Sequence, residues 1–230
     1  MLPPDLRSAE AEALDSIQAA LAGGAKGLWT VEFRFEGLRV LPVALRLQAA
    51  LLPVLTGLRL LFPDAGATAL AQRDGPEAAG SIASLRDQMR LQQADGGSKG
   101  VLLLVAPSPA DYEDVEQVCA LHRGAVILLN GNLEDAAVGI GSVARQRRKG
   151  FLAGWQSAYA LIPTGEGALR RAFPGPWELY RQDPDGHRFV SQFDQKPDTE
   201  DQALALAGGA GLGLGGNLKV MDAFIEGLRN

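Results

Sequence analysis

Between Leu128 and Lys149 the chain reads LLNGNLEDAAVGIGSVARQRRK. An apolar run stops at Asn130, a polar turn carries Asn132 and Asp135, and Gly139 and Gly141 open a segment with Arg145, Arg147, Arg148 and Lys149. A strand end, a glycine-opened helix start and an arginine cluster together form the kind of edge that binds anions. Arg145 and Arg148 are three residues apart and can share one helix face. The cluster suits a phosphate, a lipid headgroup or an acidic partner surface; a solvated helix face uses the same residues.

Asp64, Ser108, Asn130, Asn132 and Asp135 fall at the carboxyl ends of the expected parallel strands, the edge where open α/β sheets bind ligands. With Arg145 and Arg148 they make the candidate pocket for a small anionic ligand, a phosphorylated metabolite or nucleotide. Each has a plainer use: Asp64 and Ser108 suit helix N-caps, and Asn130 and Asn132 suit turns. Gly139-Ile-Gly141-Ser-Val-Ala144 matches the short dinucleotide fingerprint, but the strand ends near Asn130 and no acid stands about 20 residues on, so the context opposes that use. Cys119 and His122 are three apart, and two ligands do not make a zinc site. No G-x-S-x-G elbow and no phosphate-binding G-x-x-x-x-G-K-[ST] loop occurs. The expectation is no metal, no cofactor and no catalytic residue, with an enzyme disfavoured.

Bulk properties narrow the classes further. In 230 residues, 47% are apolar and 21% charged, an ordinary globular balance. A net charge of −5 does not favour nucleic acid as a partner. The single cysteine, Cys119, cannot form an internal disulfide, which fits a reducing compartment. Met1-Leu-Pro-Pro-Asp does not read as a signal peptide. The apolar stretch 41–62 contains Arg46 and Arg59, and a charge at the centre of a membrane span costs roughly 3 kcal/mol. A buried helix followed by a strand fits it better, with peripheral membrane contact still open.

The elements that must hold these residues alternate. A helix is expected over 5–22, ended by Gly23-Gly24. In 28–36, Trp29, Val31, Phe33 and Phe35 alternate with Thr30, Glu32, Arg34 and Glu36, which predicts a strand with one covered face, near a sheet edge. A helix over about 40–56, a strand over 58–62 and a helix from Asp64 to about Arg73 follow. The polar, weakly patterned 74–99 reads as a mobile loop. VLLLVA (101–106) and AVILL (125–129) read as strands buried on both faces, with helix-start chemistry at Ser108, Pro109 and Asp111 between them. After about 150, four short strands joined by Gly/Pro turns predict an antiparallel meander. Trp29, Trp155, Trp177, Phe151 and Tyr159 read as core residues. The fold class is therefore α/β, a Rossmann-like three-layer core whose mostly parallel sheet is extended by a C-terminal antiparallel β-meander. One domain spans 1–206, its parallel part about 1–150 and its meander about 151–200. Residues 207–230 read as a Gly-rich linker and a terminal amphipathic helix.

FPDAG (62–66), LLLVAPS (102–108), the LN-x-x-LED segment from Leu129, the G-x-G-x-x-x-R segment from Gly139 and Pro174-Gly-Pro-Trp177 together resemble a domain-of-unknown-function family of cyanobacteria and chloroplasts. That family includes photosystem II assembly proteins of the low-photosystem-II-accumulation type and the extension of a chloroplast adenylate kinase. The resemblance covers about 1–200. It implies a non-catalytic partner-binding protein of the cyanobacterial cytoplasm that acts at the thylakoid surface on photosynthetic membrane-protein subunits or assembly factors.

Overall fold

The two uninterrupted apolar runs form the centre of the sheet. The computed structural model describes residues 1–23, 26–134 and 150–209. In it β4 (Val101–Val105) and β5 (Ala125–Leu129) are buried at every position, as strands covered on both faces must be. They pair in parallel, Val101 opposite Ala125 through Val105 opposite Leu129. β2 (Leu58–Phe62) and β3 (Ile82–Ser84) extend the sheet on one side. On the other, β1 (Leu28–Phe33) pairs in parallel with β5, and β6 (Trp155–Thr164) in parallel with β1. The antiparallel strands β7 (Gly167–Ala172), β8 (Trp177–Asp183) and β9 (Gly186–Phe193) then complete a nine-stranded sheet of order β3-β2-β4-β5-β1-β6-β7-β8-β9.

Helices lie on both faces. On the first, α1 (Leu6–Leu21), α2 (Val40–Leu51) and α3 (Ala65–Asp74) share a core with Val31, Leu60, Leu103 and Tyr159. On the second, α4 (Leu85–Asp95) and α5 (Tyr112–Leu121) cover Leu61, Leu102, Leu104 and Val126. Farther along, α6 (Thr199–Gly209) sets Ala205 and Leu206 against Leu169 and Leu179 of the meander. The expected three-layer α/β architecture is thus present. α6 runs past residue 206, and the expected terminal helix of 218–228 lies outside the described residues.

Several helix starts follow from single side chains. Asp5 accepts from the Ser8 N–H at 2.8 Å, and Asp64 from the Ala67 N–H at 2.9 Å. Such caps satisfy amides that the first helical turn leaves unpaired. Ser108 and Asp111 form a reciprocal capping box ahead of α5, with Pro109 at the first position of its leading turn. Between α1 and the meander, Arg170 bridges Glu12 at 3.1 Å and Glu178 at 2.7 Å.

Two expectations are corrected. Residues 74–99 are not a loop: a 3-10 turn (Pro76–Ser81), β3 and α4 occupy most of them. The hydrophobic period is missing because α4 turns glutamines inward. Gln88 and Gln92 are fully buried and donate to Ser98 Oγ at 3.1 and 2.8 Å. Nor does β1 lie at a sheet edge; it sits between β5 and β6. Its polar face, Thr30 and Glu32, lines a cavity on the second face of the sheet. The expected four-strand antiparallel meander is present as β6–β9, and its first strand also joins the parallel set through β1.

Candidate functional site

The cavity over β1 and β6 has a volume of about 460 Å³, within the range of small-molecule sites. It runs from Trp155 and Ser157 in the amino half of β6 to Arg34, Gly131 and Asn132 beyond the carboxyl ends of β1 and β5. The turn after β7 contributes Phe173, and the strap from β9 to α6 contributes Asp194, Gln195 and Lys196. Trp29, Trp155 and Trp177 all line it, and these are the only tryptophans in the chain. Trp29 and Trp177 are also buried, as expected of core residues. Trp29 stacks edge-on against Phe173 at 5.1 Å, and Trp155 against Phe151 at 5.6 Å.

The charges divide unevenly. Glu32, from the floor, is held by Arg34 at 2.9 Å and faces Lys196 at 3.6 Å. Lys196 also lies over the Trp177 ring, 5.5 Å from its centroid, a cation–π contact that helps hold the strap. Arg34 additionally donates to the Gly131 carbonyl at 2.7 Å. Both cations are therefore committed to Glu32. Arg171 is different. Its guanidinium donates to the Gly175 carbonyl and, at 3.5 Å, to the Ser157 carbonyl, and it has no carboxylate partner among the described residues. Burial pulls it below the usual arginine range. An arginine nonetheless stays charged at neutral pH. Two further donors of lining residues, the Trp155 indole N–H and the Ser157 hydroxyl, are buried without a hydrogen-bond partner among the described residues. Orphaned buried donors are rare and costly, and they cluster where function needs them.

The sequence-stated candidates separate on this map. Asn132 lines the cavity, and its N–H donates to the Pro107 carbonyl at 2.9 Å. Asp64 and Ser108 cap helices. Asn130 adopts a left-handed φ of 50° and pairs with the backbone of Phe33, accepting from its N–H at 2.7 Å and donating to its carbonyl at 2.8 Å. Its side chain thus adds one more rung between β5 and β1. Asp135, Gly139, Gly141, Arg145 and Arg148 lie outside the described residues. Arg171, Ser157, Trp155, Glu32 and Lys196 were not among the candidates. Part of the signal was readable: the alternation in 28–36 sets Thr30 and Glu32 on the uncovered face of a strand, although that pattern placed the strand near a sheet edge.

His122 and Cys119 belong elsewhere. His122 Nδ1 lies 2.7 Å from Ser98 Oγ, and its Nε2 lies 3.2 Å from the Gly100 carbonyl, at the amino ends of β4 and β5. Because Ser98 Oγ already accepts from two glutamines, its own proton goes to Nδ1, and Nε2–H donates to Gly100. Among the described residues no group of three or more His, Cys, Asp or Glu is placed to hold a metal ion, and no helix is long and apolar enough to cross a membrane.

Fold and cavity together define an α/β domain with an aromatic-walled, arginine-bearing cleft beside the central strand. The family model for a domain of unknown function, DUF1995, matches residues 3–204, so the chain belongs to that family. Among curated proteins and among solved structures, nothing matches.

Proposed function

We propose that this domain is a non-catalytic binding module, and that its cavity receives an anionic group. The observation that carries the reading is Arg171, a half-buried cation without a carboxylate partner among the described residues, set among aromatic walls. A buried charge is tolerated when a counter-charge completes it. Among the described residues the Ser157 hydroxyl has no hydrogen-bonded base, and nucleophilic catalysis needs one within reach. The test is a thermal-shift screen of phosphates, nucleotides and carboxylates on the wild-type chain and on Arg171→Gln. A ligand at 100-fold its Kd stabilises by about 2.7 kcal/mol, which raises Tm by several degrees at about 2–4 °C per kcal/mol. A shift seen in the wild type and lost in Arg171→Gln supports the reading. No shift with any anion, or one unchanged in the variant, overturns it.

A second reading concerns the setting. The resemblance to low-photosystem-II-accumulation type proteins supports a cyanobacterial module that binds photosynthetic membrane-protein subunits or assembly factors at the thylakoid surface. Its support in the fold is two exposed apolar side chains, Phe189 of the outer strand β9 at 54% and Leu204 of α6 at 64%. Exposed large apolar groups favour protein contacts. Purified photosystem II subcomplexes should bind the wild-type chain and lose affinity for a Phe189→Lys, Leu204→Lys double variant. Equal binding by both chains would remove these two side chains from consideration.

A further inference from the structure

We infer that the ligand of the cavity is a planar, conjugated monoanion of the aromatic carboxylate class, and not a nucleotide or another polyphosphate; this rests on the anion-binding reading above. The charge count comes first. Among the described lining residues, Arg34, Arg171 and Lys196 are matched in number by Glu32, Glu134 and Asp194. Arg34 and Lys196 both serve Glu32, which leaves Arg171 as the one cation there without an acidic partner. Glu134 and Asp194 form no ion pair among the described residues. Among the described lining residues a triphosphate would therefore find a single available cation and two acids that repel it, whereas a monoanion is balanced by Arg171 alone.

The donors fit the same class. Arg171 spends Nε and Nη1 on the Ser157 and Gly175 carbonyls, so its Nη2 is the part with no partner among the described residues. Trp155 and Ser157 are two apart on β6 and share a strand face. Their N–H and O–H are buried donors of the lining without partners among the described residues. Three donors can serve the two oxygens of one carboxylate, and charge-assisted bonds of this kind are the strong ones. The remainder of the ligand meets Trp29, Trp177 and Phe173. Flat conjugated bodies pack well on such rings.

Because every tryptophan of the chain lines the cavity, intrinsic fluorescence reports on it directly. The probes are 2-naphthoate, its neutral isostere 2-naphthamide, pyrophosphate and ATP, titrated against the full chain. The expected result is that 2-naphthoate changes the fluorescence saturably and binds about tenfold or more tightly than 2-naphthamide, the scale of a charge-assisted hydrogen bond. Pyrophosphate and ATP should bind far more weakly. Arg171→Gln should abolish the preference for carboxylate over amide, and Ser157→Ala and Trp155→Phe should each weaken 2-naphthoate severalfold at unchanged Tm. Those two variants keep the test valid if Arg171→Gln does not fold. Arg171-dependent binding of ATP or pyrophosphate in preference to 2-naphthoate would overturn this inference and leave the anion-binding reading standing. Binding of none of the probes overturns the inference; only a blank screen across all anions also removes the reading beneath it.

Discussion

Replacing Asn130 separates a structural role from a ligand-binding one. Its side chain gives Phe33, which is 1% exposed, both an acceptor and a donor. Asn130→Ala leaves the Phe33 N–H and carbonyl without those partners, at about 1–3 kcal/mol per orphaned group. Alanine must also adopt the left-handed φ of 50°, which costs a residue with a Cβ about 1–2 kcal/mol. Asn130 is only half-buried, so water recovers part of the loss. The expected total is about 3–5 kcal/mol, or a Tm lower by about 6–20 °C for a chain of this size. Asn130→Gly removes the same hydrogen bonds without the φ strain and should lie between wild type and alanine. Urea unfolding with the slope unchanged and the midpoint shifted measures the effect. An alanine variant within about 1 kcal/mol of wild type, or a glycine variant less stable than alanine, would refute the assigned role.

Three further outcomes are expected. Burial pulls the His122 imidazole below its ordinary range, although the hydrogen bond to Gly100 opposes this. The unfolded chain then binds the proton more readily, so this contribution is full above the unfolded pKa of about 6.5 and is lost as pH falls toward the folded pKa. Urea midpoints at pH 7.5 and 6 should therefore diverge more in wild type than in His122→Gln, and equal divergence would count against it. Arg170→Met removes both ion pairs that join α1 to β7 and β8; it should cost roughly 1–3 kcal/mol, less than a fully buried pair because these groups are partly exposed. A thermal midpoint unchanged by that substitution would show that the bridge contributes nothing. Burial pushes the Cys119 thiol up to about 12, so alkylation by iodoacetamide at pH 8 should proceed only after denaturant is added; rapid reaction of the folded chain would contradict the placement.

The apolar runs at 101–106 and 125–129 determined the centre of the sheet by themselves, because a short uninterrupted run bounded by glycine or proline suits a strand covered on both faces. Cap chemistry at Asp64 and Ser108 was equally legible, since an N-cap bonds to a backbone only three residues away. Local rules did less well where burial fell on polar groups. Gln88 and Gln92 are interior because Ser98, outside their helix, accepts their protons, and no periodicity within 85–95 carries that information.

The cavity was the least readable part. Its donors come from Trp155 and Ser157 on β6 and Arg171 on β7, and its floor comes from Glu32 on β1. What joins them is the parallel pairing of β1 with β6, across about 125 residues of chain. Outside 74–99 the sequence alone settled most of the strands and helices among the described residues, because those preferences depend on nearest neighbours and on the period of burial. Only the tertiary structure decided that β1 lies in the middle of the sheet. There its polar face shares a cavity with Arg171, Trp155 and Trp177, because the strand order depends on pairing energies between distant segments.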